Sequence, residues 1–270
     1  MNRILILGGS GFIGNALYKE LCAYYDTYGT YFTNPTFRNN KHFYYFNFLE
    51  DDIYEILAEV KPNYIISCIR GDFAHQVDLH FQLTDYVAPR RCKLIFISSA
   101  NVFDAFSNYP SYEYDKTLSM SVYGKLKIKI ENMCMRLPDR KYAIARVPMV
   151  FGKQSPRIKQ LKKYIELHEA YEVFPDLVMN VTSDNRLTQQ IHYIINRKRS
   201  GIFHLGSSDL IHHDEFIKDI IEKLEFKKPL IKNVYTSNFD RFLAVLPKNN
   251  KLPEHLQFSY NQVLEDLMPV

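Results

Sequence analysis

Tyr123 and Lys127 are the two side chains whose types and spacing could support proton transfer. On a helix, residues four apart lie on one face, so the phenol and the ammonium would be neighbours. The ammonium favours the phenolate and lowers the pKa of the tyrosine toward a useful value for acid–base catalysis. Tyr112 and Lys116 repeat the spacing in a polar, acidic stretch, which we interpret as a chance match.

Ser99 is a further candidate catalytic residue. The sequence predicts a strand over 93–97, and Ser99 follows it, 24 residues before Tyr123. A hydroxyl at the carboxyl end of a parallel strand faces the crevice in which α/β proteins bind ligands. The alternative interpretation is a strand-end hydroxyl that bonds to the nearby backbone.

A glycine-rich turn follows the first predicted strand and opens the first predicted helix. Its spacing is G-x-x-G-x-x-G, which suits a tight turn and a close backbone approach to a pyrophosphate at a helix N-terminus. A purely structural turn is the alternative, but the strand–turn–helix position favours dinucleotide binding. The predicted cofactor-binding residues here are Gly8, Ser10, Gly11, Phe12, Ile13 and Gly14.

The end of the second predicted strand indicates which nicotinamide cofactor binds. An acidic residue there would hold the ribose 2′-OH of NAD, whereas a 2′-phosphate needs a cation and hydroxyls. The segment 31–35 holds no acid, offers Thr33 and Asn34, and is followed by Arg38. We therefore predict NADP, with NAD as the alternative if Arg38 is an ordinary solvated arginine.

Apolar runs that alternate with helical patterns must position these residues. Strands are predicted over 4–7, 28–33, 43–48, 64–69, 93–97, 142–147 and 202–205, and helices over 12–24, 49–60, 77–87, 119–137, 158–168 and 214–224, with another helix from Ser183 or Asp184. This alternation predicts an α/β, Rossmann-type, doubly wound parallel sheet with a smaller C-terminal substrate-binding region. We predict a dinucleotide-binding domain over 1–152, to which 181–210 returns, and a substrate-binding region over 153–180 and 211–270.

Composition excludes several other classes of protein. Hydrophobic residues make up 46% of the chain and the net charge is only +4, which is too small to indicate nucleic-acid binding by itself. The apolar runs are too short for a membrane span or a signal-peptide core. Four scattered cysteines without a C-x-x-C pair predict a reduced, cytoplasmic protein, and no spacing suggests a metal site.

The sequence resembles the extended short-chain dehydrogenase/reductases, since it combines the glycine turn, the serine at a strand end and the Tyr-x-x-x-Lys motif. The closer resemblance is to the dTDP-4-dehydrorhamnose reductase-like, sugar-nucleotide-binding group, and it covers about residues 1–220. The segments that carry it, in chain order, are Gly29-Thr30-Tyr31, Lys61-Pro62-Asn63-Tyr64-Ile65-Ile66, Ile97-Ser98-Ser99-Ala100-Asn101-Val102-Phe103-Asp104, Arg146-Val147-Pro148-Met149-Val150-Phe151-Gly152 and Gly201-Ile202-Phe203-His204-Leu205.

This resemblance implies an NADP-dependent reductase of a keto group on a nucleotide-activated deoxysugar, in polysaccharide biosynthesis and with a possible homodimer. By the resemblance, Tyr123 protonates the substrate carbonyl oxygen, Ser99 hydrogen-bonds it, and Lys127 holds the nicotinamide ribose. The resemblance also places near the cofactor Asn47, Phe48, Cys68, Ile69 and Arg70. The alternatives are a sugar-nucleotide epimerase, disfavoured by the short chain, and a non-catalytic NAD(P)-binding sensor or regulatory subunit.

Several positions depart from the family's pattern. Cys68-Ile69-Arg70 stands where Asn-Ala-Ala is common, so Arg70 could bind a substrate anion or lie in solvent. Asn47 replaces a common Asp, and Ala100-Asn101 lacks the acid pair of 4,6-dehydratases, which disfavours that reaction. A basic segment could meet the substrate diphosphate or form a solvated helix face; it contains Lys153, Arg157, Lys159, Lys162 and Lys163.

Overall fold

The computed structural model describes residues 2–227 and 229–268, which divide into two compact units. The first unit comprises the chain up to Ser98, Val122–Ala145 and Ile191–Phe203. The second unit comprises Ser99–Ser121, Arg146–Gln190 and the chain from His204 on. The second unit thus includes 99–121, 146–152, 181–190 and 204–210, which the sequence predicts as part of the dinucleotide-binding domain. The division by function stays a prediction.

The strands of the described residues are, in chain order, β1 Arg3–Leu7, β2 Asp26–Tyr31, β3 Phe43–Tyr45, β4 Tyr64–Ser67, β5 Lys93–Ser99, β6 Tyr142–Val147, β7 Met149–Phe151, β8 Ala170–Val173, β9 Leu177–Met179, β10 Val181–Ser183, β11 Gly201–His204, β12 Ile211–His212, β13 Leu230–Asn233 and β14 Arg241–Leu243. The helices are α1 Phe12–Leu21, α2 Ile53–Val60, α3 Phe73–Val87, α4 Val122–Cys134, α5 Pro156–Glu166, α6 Asp184–Asn196, α7 His213–Lys223 and α8 Tyr260–Leu267.

Seven strands of the described chain form one sheet in the order β11-β6-β5-β4-β1-β2-β3. The pairs from β3 to β5 are parallel, and the register of the central pair sets Ile4 beside Tyr64 and Leu7 beside Ser67. The strand order reverses beside β1, which is the switch point at which open α/β sheets bind ligands. The predicted Rossmann-type α/β fold is confirmed.

Helices cover the sheet of the first unit. Ile4–Leu7 of β1 and Tyr64–Ile66 of β4 are apolar and buried, as is typical of parallel strands covered on both faces. Leu5, Leu7 and Ile65 of these strands share one core with Leu57 of α2 and Ile130 of α4. This packing fixes α4, the helix that carries Tyr123, against the strands of the first unit.

Helix α2 begins later than the sequence predicts, and β3 ends earlier. The prediction extended β3 to Phe48, but the strand ends at Tyr45. The side-chain oxygen of Asn47 accepts a hydrogen bond from the Leu49 N–H at 3.2 Å, which turns the chain out of the strand. Asp52 then caps α2 by accepting from the Tyr54 N–H at 2.9 Å.

The second unit contains α5, α7 and α8 together with short strands. Its core includes Phe151, Ile158, Val181, Phe216 and Leu264. Asp104 holds the residues before α4 by accepting from the Met120 N–H at 2.6 Å and from the Ser121 hydroxyl. Helix α4 therefore begins at Val122, three residues after the predicted start.

No helix in the described part of the chain is long and apolar enough to cross a membrane. Within the same residues, no group of three or more His, Cys, Asp or Glu is placed to hold a metal ion. The four cysteines are free thiols, of which Cys92 and Cys134 are buried.

Candidate functional site

The glycine turn between β1 and α1 has the geometry that its sequence predicts. Gly8 adopts φ +78°, a conformation that favours glycine, and its N–H donates to Thr30 Oγ1 at 2.9 Å. A Cβ added at Gly14 would lie 2.1 Å from Gly8 O, so α1 approaches the turn too closely for any other residue. A Cβ at Gly11 would lie 3.2 Å from that oxygen, a milder contact.

Two glycines that the triplet does not include also leave no room for a side chain. A Cβ added at Gly9 would lie 2.9 Å from Gly29 Cα, and one added at Gly29 would lie 2.5 Å from Phe43 Cε1. The turn therefore lies directly on β2. The signal in the sequence is a glycine inside a strand pattern, which marks a close backbone approach.

The N-terminus of α1 offers donors to an anion. Gly11 is the N-cap and provides no side-chain cap, and the first turn of the helix carries no acidic residue. The first N–H groups of a helix have no acceptor within it, so those of Phe12 and Ile13 stand at the positive end of the helix dipole. The Ser10 N–H is already used, since it donates to Thr30 O at 3.1 Å.

The chain after β2 lies at the surface. Thr33 and Arg38 are exposed, whereas Asn34 is half-buried and accepts from the Thr36 N–H at 3.2 Å and the Thr36 hydroxyl at 2.7 Å. Asn34 thus caps the short 3-10 turn Pro35–Phe37. Arg38 follows this turn, which leaves its guanidinium available to an anion.

The loop after β3 and the loop after β4 hold the other predicted cofactor residues. Asn47 is buried, and its own N–H donates to Asp51 at 2.6 Å. The ring of Phe48 lies 2.9 Å from a Cβ built on Gly71, so these two loops are in contact.

The loop after β4 begins beside the glycine turn that links β1 to α1. The Cys68 N–H donates to Leu7 O at 2.9 Å, and a Cβ added at Gly8 would lie 3.1 Å from Cys68 O. Ile69 belongs to the core, whereas Arg70 is exposed. Burial raises the pKa of the Cys68 thiol to about 12, so this group is neutral at ordinary pH.

Tyr123 and Lys127 lie on α4, as predicted from their spacing. Lys127 is only 5% exposed, and its Nζ donates to Ile97 O at 3.0 Å. The same Nζ lies 4.6 Å from the centroid of the Phe96 ring and 5.6 Å from that of the half-buried Tyr123 ring. Burial lowers the pKa of Lys127 to about 8.

Two buried polar pairs that the sequence reasoning missed lie near Lys127. The Ser98 hydroxyl donates to Glu131 Oε1 at 2.5 Å, and Glu131 is the next residue in the four-residue spacing. His80 Nδ1 lies 2.6 Å from Gln76 O, so Nδ1 carries the proton and the Ser67 hydroxyl donates to Nε2 at 2.8 Å. Burial lowers the pKa of His80 to about 4, which makes it a neutral structural group.

Ser99 ends β5 and makes a local contact. Its hydroxyl donates to Asn101 Oδ1 at 2.9 Å and accepts from the Asn101 N–H at 3.2 Å. The side chain therefore caps the 3-10 turn Ala100–Phe103 that follows the strand.

The basic segment after Gly152 begins with the exposed Lys153 and continues into α5. This helix buries Ile158 and Leu161. Its lysines are exposed, namely Lys159, Lys162 and Lys163.

Residues 70–258 match the family described as the RmlD substrate binding domain, which is more than half of the chain. The chain belongs to this family. The resemblance to dTDP-4-dehydrorhamnose reductases that the motifs indicated is thereby confirmed.

The curated proteins that are similar to this chain include a subunit of methionine adenosyltransferase and a sugar-nucleotide reductase. Methionine adenosyltransferase 2 subunit beta of Danio rerio is 28% identical over 164 residues, which are 56% of this chain and 49% of that protein. The chain thus spans about half the length of the subunits that it matches. The dTDP-4-dehydrorhamnose reductase of Aggregatibacter actinomycetemcomitans is 22% identical over 93% of this chain and 90% of its own length.

A solved dTDP-4-dehydrorhamnose reductase has the same fold. The crystal structure of dTDP-4-dehydrorhamnose reductase from Bacillus anthracis, in complex with NADP, superimposes with a TM-score of 0.78. The match covers 99% of each chain at 21% sequence identity, so it establishes the fold.

Proposed function

We propose that this protein is an NADP(H)-dependent reductase of a keto group on a nucleotide-linked deoxysugar. The observation that carries the proposal is the buried Lys127 ammonium, whose Nζ lies 5.6 Å from the centroid of the Tyr123 ring. An ammonium beside a phenol is the arrangement that a tyrosine needs to act as a general acid. The relative that aligns over 93% of the chain is a dTDP-4-dehydrorhamnose reductase, which supports the choice of substrate class.

The residues of the first unit fit a bound dinucleotide. The glycine turn suits a pyrophosphate, because a Cβ at Gly14 would collide with the backbone of the turn. The N-terminus of α1 that follows has no side-chain cap, so its N–H groups can bind the phosphates. We propose that Arg38 and Thr33 hold the 2′-phosphate of NADP, since no acid competes for the ribose there. Asn34, Asn47 and Phe48 then lie toward the adenosine, and Cys68, Ile69 and Arg70 toward the nicotinamide.

The cofactor supplies the hydride when it is bound. Tyr123 donates its phenolic proton to the carbonyl oxygen of the substrate as that oxygen becomes an alkoxide. Lys127 stabilises the phenolate that remains and donates to the cofactor ribose. We propose that the Ser99 hydroxyl donates to the same substrate oxygen, for which it must give up its bond to Asn101 Oδ1.

The test combines NADPH binding with turnover of a panel of 4-keto deoxysugar nucleotides. We expect oxidation of NADPH, followed at 340 nm, with at least one substrate, and a loss of about 100-fold or more in kcat for Tyr123→Phe. Tyr112→Phe is the matched control, because it removes the same hydroxyl from the second Tyr-x-x-x-Lys match. Equal losses in the two variants, or no loss in either, would overturn the assignment of Tyr123.

A regulatory subunit is the second candidate function, favoured by the similarity to methionine adenosyltransferase 2 subunit beta. A subunit of this kind would bind NADPH without turning over any keto sugar, and Tyr123→Phe would change nothing. It would also bind a methionine adenosyltransferase catalytic subunit and alter its rate. Pull-down and rate measurements with such a catalytic subunit separate this candidate from the reductase.

A further inference from the structure

Helix α4 carries a third ionisable side chain in line with Tyr123 and Lys127. Glu131 follows Lys127 by four residues, so the three side chains succeed one another along one helix face. Glu131 is 1% exposed and Lys127 is 5% exposed. A buried carboxylate is costly unless the structure partners it, so its presence calls for an explanation.

Strand β5 holds both of the buried side chains. Ser98 donates its hydroxyl hydrogen to Glu131 Oε1 at 2.5 Å, and Ile97 O, one residue earlier, accepts from Lys127 Nζ at 3.0 Å. Two consecutive residues of the strand thus receive side chains from two successive turns of the helix. The amine and the carboxylate are fixed by the same backbone segment.

The electrostatic surroundings of Lys127 single out Glu131. Burial opposes the ammonium, and the positive charge of Arg70 acts in the same direction. The thiol of Cys68 and the imidazole of His80 also face this lysine, but burial raises the pKa of Cys68 to about 12 and lowers that of His80 to about 4. Cys68 and Glu131 are the two groups whose negative charge would favour the ammonium. Because the Cys68 thiol and the His80 imidazole are both neutral near pH 8, Glu131 is the group of these that can supply that charge.

We propose that Glu131, held by Ser98, is a positioning residue that keeps the Lys127 ammonium charged and fixed behind Tyr123. This role rests on the proposed function, in which Lys127 serves Tyr123 and the cofactor ribose. Glu131 itself would touch neither substrate nor cofactor, because it lies one helical turn further along α4 than Lys127.

The test follows the ionisation of Lys127 directly, in protein labelled with ¹³C at the lysine Cε positions. The NMR signal of Lys127 is assigned with Lys127→Met, and Lys129→Met is the matched control on the exposed face of α4. We expect Glu131→Gln, which keeps an acceptor for Ser98, to lower the titration midpoint of Lys127 by about one pH unit or more. Ser98→Ala should shift it in the same direction by less, and Glu55→Gln, which removes an exposed carboxylate, should not shift it.

Binding of NADPH gives a second readout that needs no substrate. Because Glu131→Gln loses the ammonium at lower pH, its Kd for NADPH should begin to rise at a lower pH than that of the unsubstituted protein. An unchanged Lys127 midpoint in Glu131→Gln overturns the inference. If that variant does not fold, an unchanged midpoint in Ser98→Ala has the same consequence. Absence of turnover with every keto sugar, together with a shifted midpoint, would instead reject only the reductase.

Discussion

Lys127 Nζ donates a hydrogen bond to the backbone carbonyl of Ile97 at 3.0 Å, two residues before the end of β5. The bond ties the helix that presents Tyr123 to the strand that ends at Ser99. The same bond holds the Lys127 ammonium in a buried place, where desolvation disfavours its positive charge.

Replacement of Lys127 by methionine should separate activity from stability. The side chain is buried, so an apolar residue of similar length removes a desolvation cost while it keeps the packing on Phe96. We expect kcat with the keto sugar to fall by about 100-fold or more, because the phenol of Tyr123 loses its cation. Thermal unfolding should give a Tm equal to or above that of the unsubstituted protein; a fall of many degrees would show that Lys127 is mainly structural.

Lys127 should also leave a signature in the pH dependence of stability. Burial lowers its pKa to about 8 from the ordinary 10.5. Between these values the unfolded chain binds more protons than the folded protein, so the contribution of this group to the free energy of unfolding rises with pH. The rise should not exceed about 3 kcal/mol, and it should be complete above the unfolded pKa.

Urea unfolding at pH 7, 8, 9 and 10 measures this effect as the free energy of unfolding of the unsubstituted protein minus that of Lys127→Met. Taking the difference removes the contributions of other titrating groups, including Lys93, whose pKa burial also lowers to about 8. If this difference in the free energy of unfolding falls as the pH rises from 8 to 10, the pKa of Lys127 is not lowered in the folded protein.

Most of the sheet could be predicted because its signals are local. Strands such as β1 and β4 are uninterrupted apolar runs, and the helices between them show a regular spacing of apolar residues. Short strands of the second unit lack such a pattern: β9 pairs with β14, more than 60 residues later, over only three residues of each. Their formation depends on distant partners, which no local window of sequence contains.

The candidate site residues differ in the same way in how much of their signal is local. Tyr123 and Lys127 are predicted from their spacing together with the strand-end Ser99, since Tyr112 and Lys116 share the spacing. Gly8 and Gly14 are predicted from their place between a strand and a helix. In the sequence, Glu131 resembles an ordinary surface residue of a helix. The structure shows that it is buried against β5, where Ser98 donates to it. Its position four residues after Lys127, next to the apolar Ile130, was the one available signal.

Two glycines of the turn should differ sharply when each is replaced by alanine. The new Cβ in Gly14→Ala would lie 2.1 Å from Gly8 O, so either α1 or the turn must move. We expect this variant to lose about 3 kcal/mol of stability together with NADPH binding. Gly11→Ala is the matched comparison, because its Cβ would meet the same oxygen at 3.2 Å. If chemical denaturation gives equal losses of unfolding free energy for Gly14→Ala and Gly11→Ala, the close contact at Gly14 is not what limits the side chain there.

Arg38 should determine the preference for NADP over NAD. Its side chain is exposed after the turn that Asn34 caps, so Arg38→Ala removes a charge without disturbing packing. We expect the Kd for NADPH, measured by fluorescence, to rise about tenfold, as for the loss of a charge-assisted contact with a phosphate. The Kd for NADH, which has no 2′-phosphate, should stay the same. Lys41→Ala, at another exposed cation of the same loop, is the control and should change neither value. A parallel loss of affinity for both cofactors in Arg38→Ala would place Arg38 at the shared pyrophosphate or ribose instead.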